Sequence, residues 1–134
     1  MTMTVESNGT TLTDYVKKNP GFTHMYTSYE PDMAILKQIN AVLPTAHVVV
    51  VSEYWCGDSR RLVPRMARIA ELLPGWTFES KPWDSTARAK PLQARAIPTF
   101  IIFSGDEELG RIVENPLHGS IEADLLDIAS APRL

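Results

Sequence analysis

A single α/β domain built on a central mixed sheet is what this 134-residue sequence predicts, and three observations carry that reading. Val48-Val49-Val50-Val51 is wholly β-branched and too short for a helix, so it reads as a strand buried on both faces. A helical pattern follows, and then Trp76 and Phe78 alternate with polar residues as a second strand, at a distance that fits a parallel, right-handed crossover. Finally, Thr99 to Phe103 and Leu109 to Val113 flank Ser104-Gly105-Asp106, which reads as a hairpin.

Taken in order, residues 1–11 are polar and Thr-rich and read as a loose arm. Leu12, Tyr15 and Val16 predict a short helix stopped by Asn19-Pro20-Gly21. Pro31 suits the first turn of a second helix, with Ile35, Leu36, Ile39 and Leu43 on its apolar face and Pro44 as its stop. Beyond Cys56, a helix presents Leu62, Met66, Ile69 and Leu73 on one side and ends at Pro74-Gly75. The stretch from Asp84 to Ala94 is weakly helical and broken by Pro91, and Ser120 is placed to cap a last helix carrying Ile121, Leu125, Leu126 and Ile128. The chain thus divides into an N-terminal arm and short helix over 1–30 and a domain over 31–134, with four to five strands flanked by helices.

Composition narrows the function. A net charge of −3 argues against bulk nucleic-acid binding. No apolar stretch approaches the ~20 residues that cross a bilayer. The first residues, Met1 to Glu6, have neither the basic segment nor the apolar run of a secretory signal. With one cysteine and no signal, the expected compartment is the reducing cytoplasm. His24, His47 and His118 lack ligand spacing, so no metal site and no bound cofactor is expected. Oligomeric state is not legible.

Cys56 is the only cysteine, set in Trp55-Cys56-Gly57-Asp58-Ser59 between the buried strand and the long helix. A sulfur at such a junction meets unpaired backbone N–H groups and the positive end of the helix dipole, which favour a thiolate. Asp58 and Glu53 oppose that effect, while Arg60 and Arg61 support it. The bland alternative is a small buried hydrophobe, the common fate of a free cysteine; the flanking Trp55 and Gly57 favour exposure instead. Arg61, Arg65 and Arg68 share one helix face and read as a solvated surface, or else as part of an anion site at the helix start.

These motifs together resemble the thioredoxin family. Trp55-Cys56-Gly57 matches the start of its Trp-Cys-Gly-Pro-Cys segment, Pro64 falls where its active-site helix is kinked, and Ile97-Pro98-Thr99 looks like its cis-proline loop at close to the family spacing. The resemblance covers about residues 32–130 and implies a thioredoxin-like fold. It also implies a groove in which Ile97 offers backbone contacts to an extended substrate while Pro98 and Trp55 wall the sulfur; Gly57 and Asp58 would line it too. The departures matter equally. Ser59 replaces the resolving cysteine, Asp58 replaces the proline, and Val50 stands where the family keeps a buried aspartate; Lys81 consequently has no role to inherit.

With one thiol an intramolecular disulfide is impossible. The first expectation is therefore monothiol exchange: Cys56 forms a mixed disulfide with a disulfide-containing protein or small thiol adduct, Ser59 hydrogen-bonds the thiolate, and an external thiol such as glutathione, a co-substrate rather than a bound group, resolves it. The alternative is a non-catalytic module holding an extended peptide by strand addition. An iron–sulfur carrier is disfavoured because one thiolate is far short of the four ligands a cluster needs. A peroxiredoxin-like peroxidase fits poorly, since Glu53 stands three residues before the cysteine where that family has threonine.

Overall fold

The protein is described here by a computed structural model over residues 10–132. Chain order is β1 (Thr10–Thr11), α1 (Leu12–Lys18), a 3-10 turn (Pro20–Phe22), α2 (Thr23–Ser28), α3 (Met33–Val42), β2 (Ala46–Val51), α4 (Gly57–Ala70), β3 (Trp76–Lys81), α5 (Ser85–Arg88), β4 (Thr99–Ser104), β5 (Glu107–Val113) and α6 (Ile121–Ser130). The strands form one mixed sheet in the order β1-β3-β2-β4-β5, with β2 and β3 parallel and the other neighbours antiparallel. This is the expected thioredoxin-like architecture. Most of the proposed loose arm over residues 1–11 lies outside the described residues, and Thr10–Thr11 are strand.

β2 is the central strand, and Val48 to Val51 are each 0% exposed. At about 1.5–3 kcal/mol for each fully buried aliphatic side chain, this run dominates the local energetics and fixes where the chain emerges toward Cys56. Alternation splits the core in two. Val48 and Val50 join Phe100, Ile102 and Ile112 beneath α1, α3, α4 and α6. Val49 and Val51 point the other way, packing with Ile101 and Phe103 against Ala87, Leu92, Ala94 and Ile97. Gly75 closes the turn between α4 and β3, where an added Cβ would sit 2.0 Å from the Pro44 carbonyl oxygen.

Two helix boundaries depart from expectation, and one short helix has no signal in the sequence. Pro31 does not lie in the first turn of α3; Asp32 caps it, its Oδ1 accepting from Ile35 N at 3.2 Å, because a capping oxygen sets the start more firmly than a compatible φ angle. The weakly helical stretch from Asp84 shrinks to four residues, capped by Asp84 Oδ1 and ended before Pro91. The six-residue α2 has no apolar periodicity that could reveal it. Ser120 does cap α6, accepting from Ala123 N at 3.1 Å.

The N-terminal helices are bound into the main core. Leu12, Val16 and Phe22 are fully buried in it. Two of the three α4 arginines expected as a solvated face or an anion site, Arg65 and Arg68, instead meet this segment. Arg65 lies over the Tyr29 ring at 5.1 Å and Arg68 over Tyr26 at 5.6 Å, while Tyr26 hydrogen-bonds Glu71. Tyr29 donates to Glu122 at 2.7 Å, and Asp32 N donates to the same carboxylate at 2.8 Å. Burial first, and then this hydrogen bond to Glu122, push the Tyr29 hydroxyl well above its ordinary pKa.

Candidate functional site

The site forms where β2 ends and α4 begins. Cys56 is the N-cap residue of α4, with the extended backbone of that position (φ −84°, ψ 127°), but its side chain accepts no capping hydrogen bond. The first intrahelical bond runs from Arg60 N to Cys56 O at 3.0 Å, so the N–H groups of the first turn are left facing the sulfur end. Helices normally fill this place with Ser, Thr, Asp or Asn. Pro64 sits inside α4 and supplies no N–H to its ladder.

Cys56 is half-buried against the second core cluster, and Sγ lies 3.7 Å from the Ile97 carbonyl oxygen. The Ile97–Pro98 peptide bond is cis. Pro98 O is taken by Glu114 N at 2.8 Å, and Thr99 Oγ1 donates to Ala96 O at 2.7 Å, so the loop is anchored on both sides. The Ile97 N–H has no hydrogen-bond partner among the described residues. Beside the sulfur, Tyr54 and Trp55 project into solvent, Trp55 at 58% exposure. The structure thus brings Trp55, Cys56, Gly57, Ile97 and Pro98 to one rim. Asp58 is turned to Arg61, whose guanidinium donates to it at 2.9 Å and also to Asn115.

Ser59 is placed differently. It is 0% exposed, and its Oγ has no hydrogen-bond partner, the sulfur included. The expected hydrogen bond from Ser59 to Cys56 is therefore absent. A buried hydroxyl without a partner costs about 1–3 kcal/mol.

Sequence reasoning missed Trp83, and it read Glu53 as a charge near the sulfur, not as the partner of Trp83. Trp83 packs against the same cluster as Cys56; its backbone N–H donates to Glu53 Oε2 at 2.9 Å and its ring N–H to Ala94 O at 2.9 Å, with Arg88 stacked 4.0 Å from the ring. A signal existed: parallel β2 and β3 end at the same side of the sheet, so residues just after β3 must neighbour those just after β2. Among the described residues no three His, Cys, Asp or Glu side chains come together as metal ligands. His47 is engaged by Glu79 at 2.7 Å and His118 by Asp124 at 2.7 Å. Nor is any described helix long and apolar enough to cross a membrane.

A cysteine at a strand-to-helix junction, set against a proline loop in a mixed sheet of this order, is a thioredoxin-like arrangement. A family model described as thioredoxin matches residues 7–120, and the chain belongs to the thioredoxin family. That membership associates it with thiol–disulfide redox chemistry in general. A protein of unknown function from Pseudomonas aeruginosa superposes with a TM-score of 0.76 at 16% identity, covering 96% of this chain and 97% of that one. An HIV epitope scaffold follows at 0.70 and 18%, covering 90% and 92%. Fasciola hepatica thioredoxin gives 0.50 and 26%, over 70% and 86%. No curated protein matches the chain.

Proposed function

We propose that the protein exchanges disulfides through Cys56 alone. The observation that carries this reading is the placement of the only cysteine as an uncapped helix N-terminus against the Ile97 carbonyl of the proline loop. The Cys56 thiolate attacks one sulfur of an incoming disulfide, forming a mixed disulfide and expelling the other sulfur as a thiolate, which is then protonated. An external thiol such as glutathione next attacks the mixed disulfide, restoring Cys56 and leaving with its cargo as a new disulfide. The number of disulfides is conserved, so no further oxidant is needed. A single thiol that depends on a reduced partner suits the reducing cytoplasm.

Incubation with oxidised glutathione should add one glutathionyl group per chain by mass spectrometry, and reduced glutathione should remove it. Native protein that stays unmodified while its unfolded form reacts would rule the reading out.

A second reading rests on the unpaired Ile97 N–H and the exposed Tyr54 and Trp55: the groove holds an extended peptide by strand addition without chemistry. A partner that binds Cys56→Ser as tightly as the wild type, in a protein whose thiol never exchanges, would select it.

A further inference from the structure

Beside the proline loop lies an open cleft of about 320 Å³ lined by Gln93, Arg95, Arg111 and Val113. Its position is fixed by the groove itself. Val113 pairs in register with Thr99, Glu114 N bonds Pro98 O, and Arg95 precedes Ile97 by two residues, at most ~7 Å of chain. An extended ligand paired along Ile97 would therefore pass over this cleft.

The two arginines are not equivalent. Arg111 is a scaffold: it grips Glu108 through Nε at 2.6 Å and a terminal nitrogen at 2.7 Å, and holds the carbonyls of Leu92 at 2.9 Å and Gln93 at 3.4 Å. Those bonds secure a turn in which Gln93, a non-glycine residue, has φ +48°. Arg95, by contrast, is exposed and has no hydrogen bond or ion pair among the described residues, and the Gln93 side-chain amide is likewise unpaired. Glu108 is consumed by Arg111, and exposed Glu114 forms no ion pair with Arg95.

We infer that this cleft is a carboxylate subsite in which Arg95, assisted by the Gln93 amide, selects disulfides carrying an acidic group near the reacting sulfur. The inference rests on the exchange reading above and adds the class of substrate. An unpaired guanidinium recognises a carboxylate with charge-assisted hydrogen bonds, and the uncharged rim of Trp55, Ile97 and Pro98 supplies no such preference.

The test uses the full chain and cysteine peptides activated as 2-thiopyridyl disulfides, paired so that each pair differs only in Asp or Asn two residues before or two residues after the cysteine. Attack by Cys56 forms the protein–peptide disulfide and releases thiopyridone with the bonding electrons, so absorbance reads the rate. Wild type should favour one Asp peptide over its Asn twin about fivefold at low salt, less as salt is added. Arg95→Gln should bring that ratio near one, and Arg95→Lys should retain part of it. A ratio lost in Arg95→Gln only for oxidised glutathione against its ester would support the same subsite with a small thiol as its source. Ratios near one throughout, or a preference indifferent to Arg95, would overturn the subsite while leaving exchange intact. Failure of Cys56 to react with any peptide would instead overturn the exchange reading, and the subsite with it.

Discussion

Two sides of α4 were built to different standards of pairing. Toward the N-terminal helices its arginines are matched with tyrosine rings, and beyond them the buried Glu122 accepts from Tyr29 and Asp32. At its N-terminus the helix begins on a cysteine that caps nothing, with a partnerless hydroxyl on Ser59 and an open N–H on Ile97 across the groove. Saturated polar groups hold a surface in place. The unpaired Ile97 N–H lies where a ligand strand could bond it, whereas the buried Ser59 hydroxyl only costs stability.

The sharpest way to break the contrast is to change the cap itself. Cys56→Ser should abolish every mixed disulfide, read by mass spectrometry, since no other thiol exists. The same change should stabilise the fold by up to about 1 kcal/mol, because serine is a favoured cap in the backbone geometry that Cys56 already has. Lost chemistry with raised thermal stability would identify the cap position as one held for function; an unchanged or lowered stability would remove that argument.

On the saturated side, Phe22→Ala should cost about 3–5 kcal/mol, measured by denaturant unfolding, as for other buried phenylalanines. A mere appendage would show almost no loss.

Much of this was readable in advance, for unequal reasons. The all-β-branched run at Val48 and the turn at Gly105 announce themselves locally, through side-chain shape and the positive φ (+62°) that a glycine adopts there. The cysteine's junction followed from element order. What sequence could not show were pairings made across the fold. Arg65 and Arg68 look like a solvated stripe until Tyr29 and Tyr26, some forty residues earlier, are folded onto them. Likewise Arg95 and Arg111 belong to separate stretches, and only the register of β5 against β4 brings them to one cleft. Ser59 is legible in sequence as a departure, standing where the family has its second cysteine, yet its lack of a partner depends on neighbours no spacing reveals.

A smaller effect is expected from Tyr29→Phe. Removing the hydroxyl leaves the buried Glu122 with Asp32 N as its remaining donor in this cluster, at a cost of about 1–3 kcal/mol. The pH dependence gives an independent check. Tyr29 has its pKa raised above the ordinary 10.0, chiefly by burial and then by Glu122. Above pH 10 the unfolded chain therefore releases its proton first, so the folded state binds more protons and stability falls as pH rises. The contribution is fully present below pH 10 and lost above it. Tyr29→Phe should flatten part of this alkaline decline; an unchanged slope would show that Tyr29 is not its source. Exchange at Cys56 near neutral pH should be unaffected if the two sides of α4 are independent.

The smallest expected change concerns the orphan hydroxyl. Ser59→Ala removes a buried group that has no partner and leaves little space behind, so stability should rise by about 1 kcal/mol, a few degrees in Tm. Ser59→Cys should be tolerated equally well, because a thiol loses less than a hydroxyl when buried unbonded. It also changes the chemistry, since a second thiol three residues on can resolve the mixed disulfide from within. The variant should then release its cargo without added small thiol, whereas the wild type accumulates the adduct. Cargo retained by Ser59→Cys would mean that the two positions cannot meet, and that the absence of a second cysteine is not what makes this site depend on an external thiol.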